Sequence, residues 1–114
     1  MNSYIDASRI AELQDILGAD TEAILASMLA SMTGAIEQLE TAVSAGDLDV
    51  AIQAAHRARN DALMLSAAQL QAALTALEAA ARDFDEPRTR TALERVREVW
   101  PPTREELAGM HRPG

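Results

Sequence analysis

Apolar residues recur at three- and four-residue steps through most of this chain. That pattern predicts helices. After a lead-in from Met1 to Ile5, Asp6 or Ser8 can cap a short helix with apolar positions Ile10, Leu13, Ile16 and Leu17, stopped by Gly18. Asp20-Thr21 can cap a second helix, with Glu22 in the first turn where the helix dipole favours negative charge. It runs to about Ala45 along one stripe: Leu25, Met28, Leu29, Met32, Ile36, Leu39 and Val43. Gly34 inside it costs about 1 kcal/mol relative to Ala. It is either a point of close helix approach or a tolerated glycine.

Gly46 ends that helix and Asp47 caps a third, whose inward face is Leu48, Ile52, Ala55, Ala58, Ala62 and Leu65. Ser66-Ala67-Ala68-Gln69 reads as a capping box, opening a fourth helix with Leu70, Ala73 or Leu74, Leu77, Ala81 and Phe84 inward. Asp85-Glu86-Pro87 connects to the next helix, where Pro suits the first turn and Leu93, Val96, Val99 and Trp100 form the stripe. Trp100-Pro101-Pro102 predicts a stop, because Pro removes a donor and restricts the residue before it. Thr103-Arg104-Glu105-Glu106 reads as another capping box, for a short helix through Leu107 and Met110, with His111 to Gly114 frayed. Four helices with short connections predict an all-α, antiparallel up-and-down four-helix bundle over about residues 20–100. A short N-terminal capping helix lies across one end, and a short C-terminal helical extension follows.

Composition narrows this picture. A chain of 114 residues suits one domain, residues 1–114, with roughly 60 to 70% of its unfolded surface buried. Hydrophobic residues make up 48% and aromatics 3%, so the core must be aliphatic and rich in Ala. The net charge is −8, and all 10 basic residues are Arg. With no basic patch interleaved with aromatics, nucleic acid is not expected as a partner, nor is an anionic membrane surface. The absence of Cys rules out disulfides and thiolate chemistry. No run approaches the length of a membrane span and no signal segment is apparent, so a cytoplasmic location and a monomer are expected.

Chemistry concentrates in the stretch from Ala54 to Ala67. Positions three and four apart share a helix surface, so Arg59 and Asn60 flank the His56 ring, while Ala55, Ala58, Ala62 and Leu65 fall on the neighbouring apolar face. The imidazole is therefore expected at the edge of the core with one side toward water. An accessible neutral imidazole can act as a nucleophile near pH 7.

These residues resemble the signature of histidine phosphotransfer (HPt) domains, roughly A-H-x-L-K-G-x-[SA]-x-x-L-G-A-x-x-L. Ala55-His56 matches its opening and Arg59 its Lys or Arg. Ala62 fits the small position, and Leu65, Ala67 and Leu70 match the residues that follow. Ala45-Gly46-Asp47 is similar to the family's A-G-D turn, and Leu77-Glu78 to its L-E or L-Q pair. The resemblance covers roughly Asp20 to Arg82. Three positions depart from it: Asn60 and Ser66 replace glycines, and Ala58 replaces a larger apolar residue. Asn60 adds bulk where the family leaves room for a partner.

The resemblance implies the bundle fold and phosphorylation of His56. A nucleophilic imidazole needs a lone pair on one nitrogen and a fixed tautomer, which an acceptor on the other nitrogen supplies. Glu78, on the next antiparallel helix, is the candidate. The family implies that it bonds Nδ1 and leaves Nε2 for the phosphoryl group; otherwise it is an exposed helix carboxylate. Arg59 would place a cation over the phosphoryl oxygens, or else pair with a neighbouring carboxylate. Arg57 falls off that face and should be solvated. Asp61 brings unfavourable negative charge unless it points away. Met28 or Met32 could offer an apolar contact to a docking partner, although both fit the core stripe better. His111 has no such context.

Two distant histidines and no Cys give no metal-ligand spacing, and no cofactor is implied. No glycine-rich phosphate loop followed by Lys-Ser or Lys-Thr occurs, so autophosphorylation from ATP is not expected. The expected activity is that of a phosphocarrier, free-standing or part of a hybrid kinase. It would relay a phosphoryl group between receiver-domain aspartates of a response regulator or hybrid sensor kinase in a multistep two-component phosphorelay. The alternative is an HPt-shaped binding module for receiver or kinase domains without transfer.

Overall fold

The computed structural model describes residues 4–111. The expected fraying of the tail lies mostly outside these residues, and so does the Met110 side chain. The elements are α1 (Ala7–Leu17), a 3₁₀ turn (Gly18–Asp20), α2 (Thr21–Ala45), α3 (Leu48–Met64), α4 (Ala68–Arg82) and α5 (Glu86–His111). No strand occurs among the described residues. Helix α2 packs on α3, α3 on α4 and α4 on α5, and α5 closes the ring on α2. This is the expected antiparallel four-helix bundle, elongated to 43 × 26 × 19 Å. Across its end lies α1, capped by Asp6, which accepts from the Ser8 N–H. Arg9 Nε donates to the Met64 carbonyl at 2.8 Å, which ties α1 to the C-terminal end of α3.

The three connections between bundle helices use one device. At each helix end a residue takes the left-handed conformation: Gly46 (φ 73°), Ser66 (φ 52°) and Phe84 (φ 56°). Its N–H and the next one turn back onto carbonyls of the last helical turn. Gly46 donates to Val43 and Asp47 to Ala42, Ser66 to Leu63 and Ala67 to Ala62, Phe84 to Ala81 and Asp85 to Ala80, at 2.8 to 3.1 Å. This is the Schellman arrangement, which satisfies carbonyls left unpaired by the helix end.

Two expectations are corrected by it. Ser66 is not the cap of a capping box: it is the left-handed terminator of α3, and α4 begins after Ala67 without a side-chain cap. Phe84 does not point inward: the same conformation turns it outward, 77% exposed. Asp47 does cap α3, accepting from the Val50 N–H at 3.2 Å. Asp20 makes no capping bond; instead the Thr21 hydroxyl donates to the Gly18 carbonyl at 2.7 Å.

The inward face of α3 is almost wholly alanine. Ala51, Ala54, Ala55, Ala58 and Ala62 are buried, whereas Leu48 and Ile52 are only half-buried. The face is rotated from the expected one because α3 packs on both α2 and α4, and small side chains let two neighbours approach it closely. Leucine fills the facing space from α2 and α4, through Leu25, Leu39, Leu70, Leu74 and Leu77. Met28 and Met32 are core residues, as the stripe required, and Ile16 on α1 is exposed. Gly34 faces open space, so of its two readings the tolerated glycine holds.

The expected stop at Trp100-Pro101-Pro102 is also corrected: α5 continues through both prolines. Thr103 is not a cap but a fully buried helical residue whose hydroxyl donates to the Val99 carbonyl at 2.7 Å. Leu107, one turn further, is fully buried too. The lead-in strengthens this end, for Ile5 is fully buried and the Tyr4 N–H donates to Glu106 at 2.6 Å. Burial on both sides of the prolines thus outweighs the local preference, which is the usual limit of propensity arguments.

Candidate functional site

His56 and Glu78 meet because α3 turns at Ser66 and α4 returns beside it. On α3, Ala55 and Ala58 are sealed in the core, so His56, next to Ala55, projects at the core edge. The His56 side chain is 49% exposed and that of Glu78 on α4 only 9%. Glu78 Oε1 lies 3.6 Å from His56 Nδ1. That is beyond hydrogen-bond range but close enough for charge interaction. Oε1 is buried and has no hydrogen-bond partner. No hydrogen bond to Nε2 is formed among the described residues.

Two arginines complete the cluster. Arg82, one turn beyond Glu78, binds Oε2 through both Nε and Nη2 at 3.0 Å. Arg59 Nη2 lies 3.0 Å from His56 Nδ1 and 3.7 Å from Glu78 Oε1. A guanidinium only donates. The Arg59 contact therefore uses the Nδ1 lone pair and leaves the ring proton on Nε2. If instead Nδ1 carries the proton, its natural acceptor is Glu78 Oε1. One nitrogen thus has two competing neighbours.

The structure brings together all four residues singled out from the sequence: His56, Arg59 and Glu78 directly, and Asn60 on the adjoining surface. The Asn60 side chain is exposed, with no hydrogen bond or ion pair among the described residues. Asp61 turns away toward α2, where it accepts from the Ser31 hydroxyl at 3.0 Å, so its charge is directed off the ring. Arg57 is exposed and hydrogen-bonds Gln38 on α2.

Sequence reasoning missed Arg82, although its signal was present: an acid followed four residues later by a cation on one helix face. It also missed Leu63, two turns beyond His56 on the same face and 58% exposed, with Met64 beside it at 48%. These two, not Met28 or Met32, are the exposed apolar residues about two turns along α3 from the histidine. The described residues hold no group of three or more potential metal ligands. No helix among them is long and apolar enough to cross a membrane.

The family model described as the Hpt domain matches residues 23–108. Among solved structures, the chain is similar to the crystal structure of histidine-containing phosphotransfer protein B (HptB) from Pseudomonas aeruginosa PAO1. The TM-score is 0.89 at 19% sequence identity, covering 97% of this chain and 96% of that one. At that identity the likeness carries the fold. No curated protein matches the chain.

Proposed function

This chain belongs to the Hpt domain family, and we propose that it relays a phosphoryl group between receiver-domain aspartates through His56. The observation that carries this reading is the pairing of a half-exposed imidazole with a buried carboxylate behind it. In the productive state the ring carries its proton on Nδ1, facing Glu78, and the lone pair is on Nε2. Nε2 attacks the phosphorus of an aspartyl phosphate. The N–P bond forms as the bond to the aspartate oxygen breaks, and the carboxylate leaves with the electron pair. The ring gains positive charge without losing a proton, and the Glu78 carboxylate faces that charge. Arg59 and Arg82 bring positive charge to the site of a chain whose net charge is −8. Phosphoryl transfer depends chiefly on such positioning and charge stabilisation. The second aspartate reverses the step.

Leu63 and Met64 offer apolar surface two turns along α3 from the ring for a receiver domain, with the chain acting as a monomer in the cytoplasm and without ATP. Asn60, exposed beside His56, favours the second reading, an HPt-shaped binding module without transfer. Incubation with a phosphorylated receiver domain separates the two. Transfer predicts label on this chain that is stable to alkali and labile to acid, and lost in His56→Gln. Equal label in that variant overturns the assignment of His56.

A further inference from the structure

The Nδ1 atom of His56 has one lone pair or one proton, and two neighbours compete for it. Arg59 Nη2 requires the lone pair at 3.0 Å. Glu78 Oε1 requires the proton, lies at 3.6 Å, and makes no hydrogen bond although it is buried. A buried carboxylate oxygen without a hydrogen bond is costly, and a proton on Nδ1 would give it one. The Arg59 side chain reaches solvent, 29% exposed, and its contact with Glu78 is long, at 3.7 Å. Glu78 is not free to follow, because Arg82 holds its other oxygen through two nitrogens at 3.0 Å.

We infer that Arg59 selects the tautomer of His56. Seated on Nδ1 it keeps the proton on Nε2 and withholds the nucleophile, and an arriving phosphoryl anion draws it off and frees Nδ1 to take the proton. Arg82 is the positioning residue of this exchange, since it keeps Glu78 Oε1 aimed at the ring. The step balances through water: Nε2 releases its proton to solvent, Nδ1 takes one up and donates it to Oε1, and the net charge is unchanged. Nucleophile exposure is then coupled to the presence of the group it attacks. The tautomer exchange stands on geometry; its purpose rests on the phosphotransfer reading above.

The test is a long-range proton–nitrogen correlation spectrum of the ¹⁵N-labelled full chain with its histidine rings neutral, the His56 signals being those lost in His56→Gln. The wild type should show the proton on Nε2. Arg59→Ala should shift the ratio toward the Nδ1–H form by about tenfold, the population change expected from losing one charge-assisted hydrogen bond. Adding Arg82→Ala to that variant should reduce the preference, and Arg82→Lys in its place should restore it. A wild type already protonated on Nδ1, or a ratio unchanged by Arg59→Ala, overturns the proposal. Because these spectra need no phosphoryl donor, the two failures are distinguishable. Tautomer exchange without label from a phosphorylated receiver rejects the transfer function, whereas label without tautomer exchange rejects this role of Arg59.

Discussion

Glu78 Oε1 sits 3.6 Å behind His56 Nδ1, buried in the bundle wall and without a hydrogen bond of its own. A carboxylate kept in that condition weakens the fold, and the phosphotransfer reading gives it a use. The relationship therefore predicts a conflict between stability and function.

Glu78→Met should resolve it in favour of stability. An unsatisfied buried acceptor costs about 1–3 kcal/mol. The long contacts with His56 and Arg59 and the pair with a 58% exposed Arg82 are each worth at most about 1 kcal/mol after screening. Replacing a buried charge cluster by an apolar side chain is often stabilising. The variant should be more stable by about 1 kcal/mol, or roughly 4 °C in melting temperature. Its phosphoryl transfer should fall by tenfold or more, as when an orienting partner of a metal-bound histidine is removed. Thermal unfolding and transfer assays on one preparation check both directions.

The turns make a second prediction. Ser66 and Phe84 hold left-handed conformations that cost a side-chain-bearing residue roughly 1–2 kcal/mol. Glycine removes that cost but adds about 0.4–1 kcal/mol of unfolded-chain entropy. Ser66→Gly and Phe84→Gly should each stabilise the fold by up to about 1 kcal/mol in denaturant titrations. A loss of stability in both would contradict the turn geometry.

The alanine face of α3 makes a third. Ala58 is fully buried on the helix that packs against both α2 and α4. Ala58→Leu restores the larger residue of the family pattern, yet should destabilise by about 1–3 kcal/mol through overpacking. The change should appear in the denaturation midpoint with an unaltered slope.

A fourth concerns acid. The bond from the Ser8 hydroxyl, then that from the Ser8 N–H, lowers the Asp6 carboxyl below its ordinary value of 3.8. A group depressed on folding stabilises above its unfolded value, and that contribution fades as pH falls through the folded one. The N-terminus of α1 should therefore loosen below about pH 4, and Asp6→Asn should remove this dependence. Amide exchange at Ser8 and Arg9 reports it.

Much of this was legible in the sequence. The stripes of α2 and α4 and the pause at Gly46-Asp47 set the bundle, and the histidine motif pointed to the candidate site. What was not legible has physical causes. The left-handed turns at Ser66 and Phe84 carry no glycine, so the usual sign of a helix end was missing. The passage of α5 through Pro101 and Pro102 depends on burial of Thr103 and Leu107 and on Ile5 and Tyr4 from the far end of the chain, contacts that no local pattern shows. Arg82 was overlooked because an acid–cation pair four apart is ordinary on a helix surface. Only the fold shows that Arg82 holds Glu78 Oε2 while Oε1 faces His56.

The most direct test is the site of phosphorylation itself. The intact chain, incubated with a phosphorylated receiver domain and digested, should yield one phosphorylated peptide containing His56, with acid-labile, alkali-stable label on Nε2. Label on any other residue, or none from a range of phosphorylated receivers, would contradict the account.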